Sequence, residues 1–162
     1  MNDIQHTLSV LSDHVGQGDI RLNNNGQAQL EFGDGFGLYI TKLDDEALEF
    51  SCRLSDLDYA DHAMAQLMLE ANYMGEETGP GRISVDPTNG EAFYSERWTV
   101  SHMDAKAVES AFSDCITRAG YWLTDGAEEL LAKAEDLRDR MSARASGGSV
   151  ASSSEDEVIF RA

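Results

Sequence analysis

Four histidines, two cysteines and several acidic clusters are the residues of this chain whose chemistry could go beyond packing. His6 and His14 lie eight apart, too far for the i,i+4 pairing that puts two imidazoles on one metal, and His62 and His102 stand elsewhere in the chain. Gly33-Asp34-Gly35-Phe36-Gly37 is glycine-rich like a phosphate cradle. It joins two strands, however, and so lacks the helix N-terminus that makes a phosphate site. Asp44-Asp45-Glu46 are three adjacent acids pointing in different directions, a solvated turn rather than a cation site. Cys52 and Cys115 have no partner at metal-ligand or CxxC spacing and read as buried, reduced thiols. HExxH, the nucleophile elbow, the P-loop and the dinucleotide fingerprint are all missing. The expectation is a protein without catalytic residues, cofactor or metal, and not an enzyme.

Composition narrows the alternatives. The 162 residues suggest one domain plus a tail, and 41% apolar residues suffice for a core. Thirty acidic against twelve basic residues give a net charge of −18. Such a surface repels nucleic-acid backbones and anionic lipid, and suits partners with basic segments. Met1 to Val15 has no basic leader or apolar core of a signal peptide, and no run approaches a membrane span. The expected location is the bacterial cytoplasm.

The elements follow from hydrophobic period. Asn2 or Asp3 caps a first helix with Ile4, Leu8, Leu11 and Val15 on one stripe, ended by Gly16 and Gly18. The period then switches to two: Ala28, Leu30 and Phe32 on one strand, Phe36, Leu38 and Ile40 on a second, and Leu48, Phe50, Cys52 and Leu54 on a third. Asp58 or Asp61 opens a second helix with Met64, Leu67, Met68 and Ala71 on one side. Leu69 and Tyr73 widen its stripe, which gives this helix two apolar neighbours. Strands follow over about 82–86 and 91–98, joined by Asp86-Pro87-Thr88-Asn89-Gly90. Asp104 caps a long third helix that Thr124-Asp125-Gly126 kinks or breaks, and helical pattern resumes through Leu130, Leu137 and Met141. The order is α-β-β-β-α-β-β-α, an α+β fold with helices on a twisted antiparallel sheet. Residues 1–143 form the domain. Residues 144–162 form a flexible, acidic, Ser/Gly-rich tail, in which Glu155 to Phe160 could dock as a short motif.

Three stretches carry a resemblance: LEFGDGFGLYI (Leu30 to Ile40), LMLEANYMG (Leu67 to Gly75) and the DPTNGE turn (Asp86 to Glu91). In this order they resemble the type III secretion chaperones of the Tir-chaperone (CesT-like) family. The likeness spans about Ile4 to Leu137, and the residues beyond Thr124 exceed the usual length of the family. The added length and tail are similar to the HpaB-type multi-effector chaperones of plant pathogens. The resemblance implies a homodimer that binds the N-terminal segments of effectors, keeps them competent for secretion and presents them to the secretion ATPase. Carried onto this chain, it implies effector contacts at Leu8, Leu11, Val15, Leu30, Phe32, Leu38, Ile40 and Phe50. It implies a two-fold interface at Met64, Leu67, Met68, Ala71, Ile83, Val85 and Trp98. Two other roles fit the same architecture: a YbjN-like regulator, and an anti-activator that binds a transcription factor.

Overall fold

The computed structural model describes residues 4–147. The proposed caps Asn2 and Asp3, and the tail motif from Glu155 to Phe160, lie outside the described residues. Helix α1 (Ile4–Val15) precedes strands β1 (Gln27–Phe32), β2 (Phe36–Lys42) and β3 (Ala47–Arg53). Helix α2 (His62–Ala71), strands β4 (Arg82–Val85) and β5 (Ala92–Thr99), and helices α3 (Ala105–Leu123) and α4 (Asp125–Gly147) complete the order. The five strands form one antiparallel sheet ordered β1-β2-β3-β5-β4, as the alternating pattern required.

The chain's period-two residues build one face of that sheet. Leu30, Leu38, Ile40, Leu48, Phe50, Cys52, Tyr94 and Trp98 all turn inward and are buried. Phe50 lies 4.0 Å from Trp98 and 6.3 Å from Phe112 of α3, ring centre to ring centre, which fixes α3 across the middle of the sheet. Helix α1 packs beside α3 with Ile4, Leu8 and Leu11 buried.

The helical pattern expected to kink or break at Thr124-Asp125-Gly126 breaks there into two helices. At Thr124 the backbone leaves helical geometry (φ −128°, ψ −101°). Gly126 then sits so close under Trp122 and Tyr121 that a Cβ there would come within 2.7 Å of both rings. Helix α4 folds back onto α2, burying Ala127, Leu130 and Ala134. It continues through residue 147, four residues into the stretch expected to be flexible, because Ala143, Arg144 and Ala145 are good helix formers.

Candidate functional site

Cys52 and Cys115 are buried within electrostatic reach of Glu96. Among the described residues no three His, Cys, Asp or Glu side chains group as a metal site requires. Burial pushes the Cys52 thiol up to about 12 and raises that of Cys115 further, so neither is a nucleophile near neutral pH. The most concentrated polar cluster escaped sequence reasoning. The buried carboxylate of Glu96, on β5, accepts two hydrogen bonds from Arg118 of α3 at 2.6 and 3.0 Å, and one from the Tyr94 hydroxyl at 2.8 Å. Trp98 Nε1 donates to it at 3.4 Å. With every oxygen engaged, this cluster locks α3 to the sheet and has no free group for catalysis. A Glu inside an alternating strand, facing the core between Tyr94 and Trp98, was its signal.

The expected effector positions lie largely inside the molecule. Leu8, Leu11, Leu30, Leu38, Ile40 and Phe50 are buried in the core. Val15 and Phe32 are half-buried at its rim. Phe32 stacks on Phe36 with centroids 5.1 Å apart and approaches Phe112 at 6.5 Å, while His14 meets Phe112 edge-on at 6.1 Å. This aromatic rim, between the end of α1 and the β1–β2 hairpin, is the accessible part of that surface.

The expected two-fold positions divide. Met64, Leu67, Met68 and Ala71 are buried within the chain; α4 and β4 both pack on α2, and Met64 borders Leu131 and Arg138 of α4. Ile83 is buried, and Trp98 faces Phe50 in the core. Val85 is exposed at 39% on β4.

The other side of α2 is open. Leu69, Tyr73 and Met74 are 72%, 70% and 79% exposed. His62, Ala65, Gln66, Leu69, Glu70 and Tyr73 line a shallow, mostly apolar hollow along this helix. Local chemistry holds it in place. The Asp61 carboxylate caps α2 by accepting from the Met64 N–H at 3.0 Å, and takes two hydrogen bonds from Arg138 of α4 at 2.6 and 3.1 Å. These donors, Arg138 first, bring the Asp61 carboxyl down to about 2. At the other end, the Asn72 carboxamide accepts from the Ile83 N–H and donates to the Ile83 carbonyl, both at 2.8 Å. The amide thus imitates a neighbouring strand and occupies the free edge of β4.

Two residues flanking α2 in the chain have left-handed backbone. Among the described residues only Tyr59 (φ 57°) and Met74 (φ 58°) have positive φ without being glycine. Both are large side chains more than 70% exposed. The Tyr59 N–H donates to the Gly90 carbonyl at 2.8 Å. A Cβ at Gly90 would come within 2.8 Å of the Tyr59 ring, so the Asn-Gly corner is what lets the ring lie there. Sequence reasoning found Leu69 and Tyr73 through the widened stripe. It missed Tyr59 and Met74, because positive φ outside glycine has no sequence signature.

A family model described as the Tir chaperone protein (CesT) family matches residues 6–123. No curated protein matches the chain. Several solved structures share its fold. A chain of the ExsC–ExsE complex superposes with a TM-score of 0.61 at 15% identity, covering 74% of this chain and 90% of that one. The Yersinia pestis type III secretion chaperone SycH, in complex with a stable fragment of YscM2, gives 0.55 at 13% identity, covering 73% and 98%. The HopA1–SchA chaperone–effector complex gives 0.58 at 11%, covering 72% and 90%.

Proposed function

The chain belongs to the Tir chaperone protein (CesT) family, and from that membership we propose that it is an effector chaperone of type III secretion. The observation that carries this is the family match itself, which runs from α1 to the last residue of α3. On this reading the protein binds the N-terminal segments of effectors in the bacterial cytoplasm, holds them extended and hands them to the secretion ATPase. No bond is made or broken. Apolar contact and backbone pairing tolerate many sequences, which suits a multi-effector chaperone of the HpaB type.

The working form is a homodimer. The open face of α2, lined by His62, Ala65, Gln66, Leu69, Glu70 and Tyr73, is the surface this reading gives to a second copy. Val85 and Met74 border that contact. The aromatic rim at Phe32, Phe36 and Val15 remains for cargo, with the buried residues Leu8, Leu11, Leu30, Leu38, Ile40 and Phe50 holding it from beneath. Residues 1–143 carry these surfaces, and residues 144–162 are a separable extension.

The test is co-expression with the N-terminal segments of candidate effectors from the same genome, followed by light scattering of what co-purifies. A dimer holding one cargo chain is the expected product, and several positives identify a multi-effector chaperone. A dimer that captures none, in cells that hold a secretion system, overturns this function in favour of a regulator of the same fold.

A further inference from the structure

The sheet has two edges, and the chain treats them differently. On β4 the Asn72 carboxamide fills both outward groups of Ile83. On β1 the outward groups belong to Gln27, Gln29 and Glu31. Asn23 takes those of Gln27: its backbone N–H donates to the Gln27 carbonyl at 2.7 Å, and its side-chain oxygen accepts from the Gln27 N–H at 3.1 Å. The Gln17 carboxamide donates to the Glu31 carbonyl at 3.0 Å. Between these two ties the Gln29 N–H and carbonyl have no hydrogen bond among the described residues. Residues 16–22 run alongside, antiparallel to β1, and a gap between them is lined by Gly18, Asp19, Ile20 and Arg21 on one side and by Ala28, Gln29 and Leu30 on the other.

This segment imitates a strand without pairing as one. Ile20 and Leu22 alternate inward against the core, while Asp19 and Arg21 face water. It hangs from α1 by the Ser12 hydroxyl, which accepts from the Ile20 N–H at 2.8 Å. Gly16 (φ 69°) and Gly18 (φ 89°) supply bends at its start. So few ties, most of them solvent-exposed, make it a segment of low local stability.

We propose that residues 16–22 are an autoinhibitory strap: they occupy the place of a sixth strand beside β1 and swing out when an extended segment of a partner protein pairs with that edge. The occupant must carry apolar residues two apart, since it replaces Ile20 and Leu22, and it pairs its backbone with Gln29. This rests on the effector-chaperone reading for its partner, but the strap's opening is a property of the free protein.

Amide hydrogen exchange on the full-length chain, free and with a captured effector segment, tests both parts. On capture, the Gln29 amide gains protection while the Ile20 and Asn23 amides lose it; gain or constancy at Ile20 overturns the strap. In the free protein, Gln17→Ala removes one tie and speeds exchange at Ile20 and Asn23 about fivefold, the factor that one lost hydrogen bond sets. Gly18→Val acts in the same direction through the backbone alone, because a side chain there meets nothing within 4 Å. Unchanged exchange at Ile20 in both variants, with melting temperatures equal to the parent's, overturns the proposal even if effectors bind. If no effector segment is captured, the chaperone reading fails, and faster Ile20 exchange in both variants still supports a strap. Protection of Gln29 by a second copy or by residues 148–162 would overturn the stated occupant.

Discussion

At the scale of single residues, two ionic contacts decide how the helices hold to the sheet and to one another. Glu96 is almost entirely buried and Arg118 is 30% exposed, so Arg118→Met leaves a carboxylate stranded in the core. The expected cost is about 3–5 kcal/mol in urea unfolding, and a Glu96→Leu/Arg118→Met double variant recovers much of it. A loss under about 1 kcal/mol, the size of a surface pair, would show that this contact does not lock α3. Asp61 is a different case, exposed but doubly engaged. Its carboxyl is held at about 2 against a usual 3.8. A lowered folded-state value means that its contribution is complete above the usual value and is lost as pH falls from 3.8 toward 2. Asp61→Asn should therefore flatten the fall in melting temperature over that acid window and lower the melting temperature at neutral pH. Neither pair was legible beforehand: Arg118 sits 22 positions from Glu96 and Arg138 sits 77 from Asp61.

At the scale of elements, α2 is the pivot, because its two sides have different partners. Met68 is buried, so Met68→Asp should unfold the protein or cost several kcal/mol by chemical denaturation. Leu69 is exposed, so Leu69→Asp should leave the melting temperature of the monomer unchanged and convert the proposed dimer to monomers in light scattering. An intact dimer after Leu69→Asp would move the two-fold contact elsewhere. Helix α4 lies beyond the family match, which ends at residue 123. It packs on α2 of the same chain. Ending the chain at Thr124 should uncover Met64 and the face of α2 that α4 packs on and give an unstable, aggregating product, whereas ending it after Gly147 should leave thermal stability unchanged. Hydrophobic period marked both helices correctly. It could not say which stripe meets which, since any apolar stripe fits any other until the chain's path is known.

At the scale of the whole molecule, charge governs encounter and burial governs form. A net charge of −18 should draw basic cargo segments by long-range attraction. Stopped-flow capture of such a segment should slow steeply as salt rises from low to physiological strength, while the dissociation rate changes little. Equal association rates across that range would place recognition in apolar contact alone. The sequence by itself determined the α+β class, the five strands, the helix start at Asp104, and the family through LEFGDGFGLYI, LMLEANYMG and DPTNGE. These are local matters: period two against 3.6, capping side chains, and glycines at turns act over a few residues. Only the tertiary structure decided that Leu8, Leu38 and Phe50 are interior, that α4 packs on α2, and that Tyr59 and Met74 are exposed. Those outcomes depend on which surfaces distant segments bring together, and apolar burial, being non-directional, writes no such pairing into the pattern of either segment.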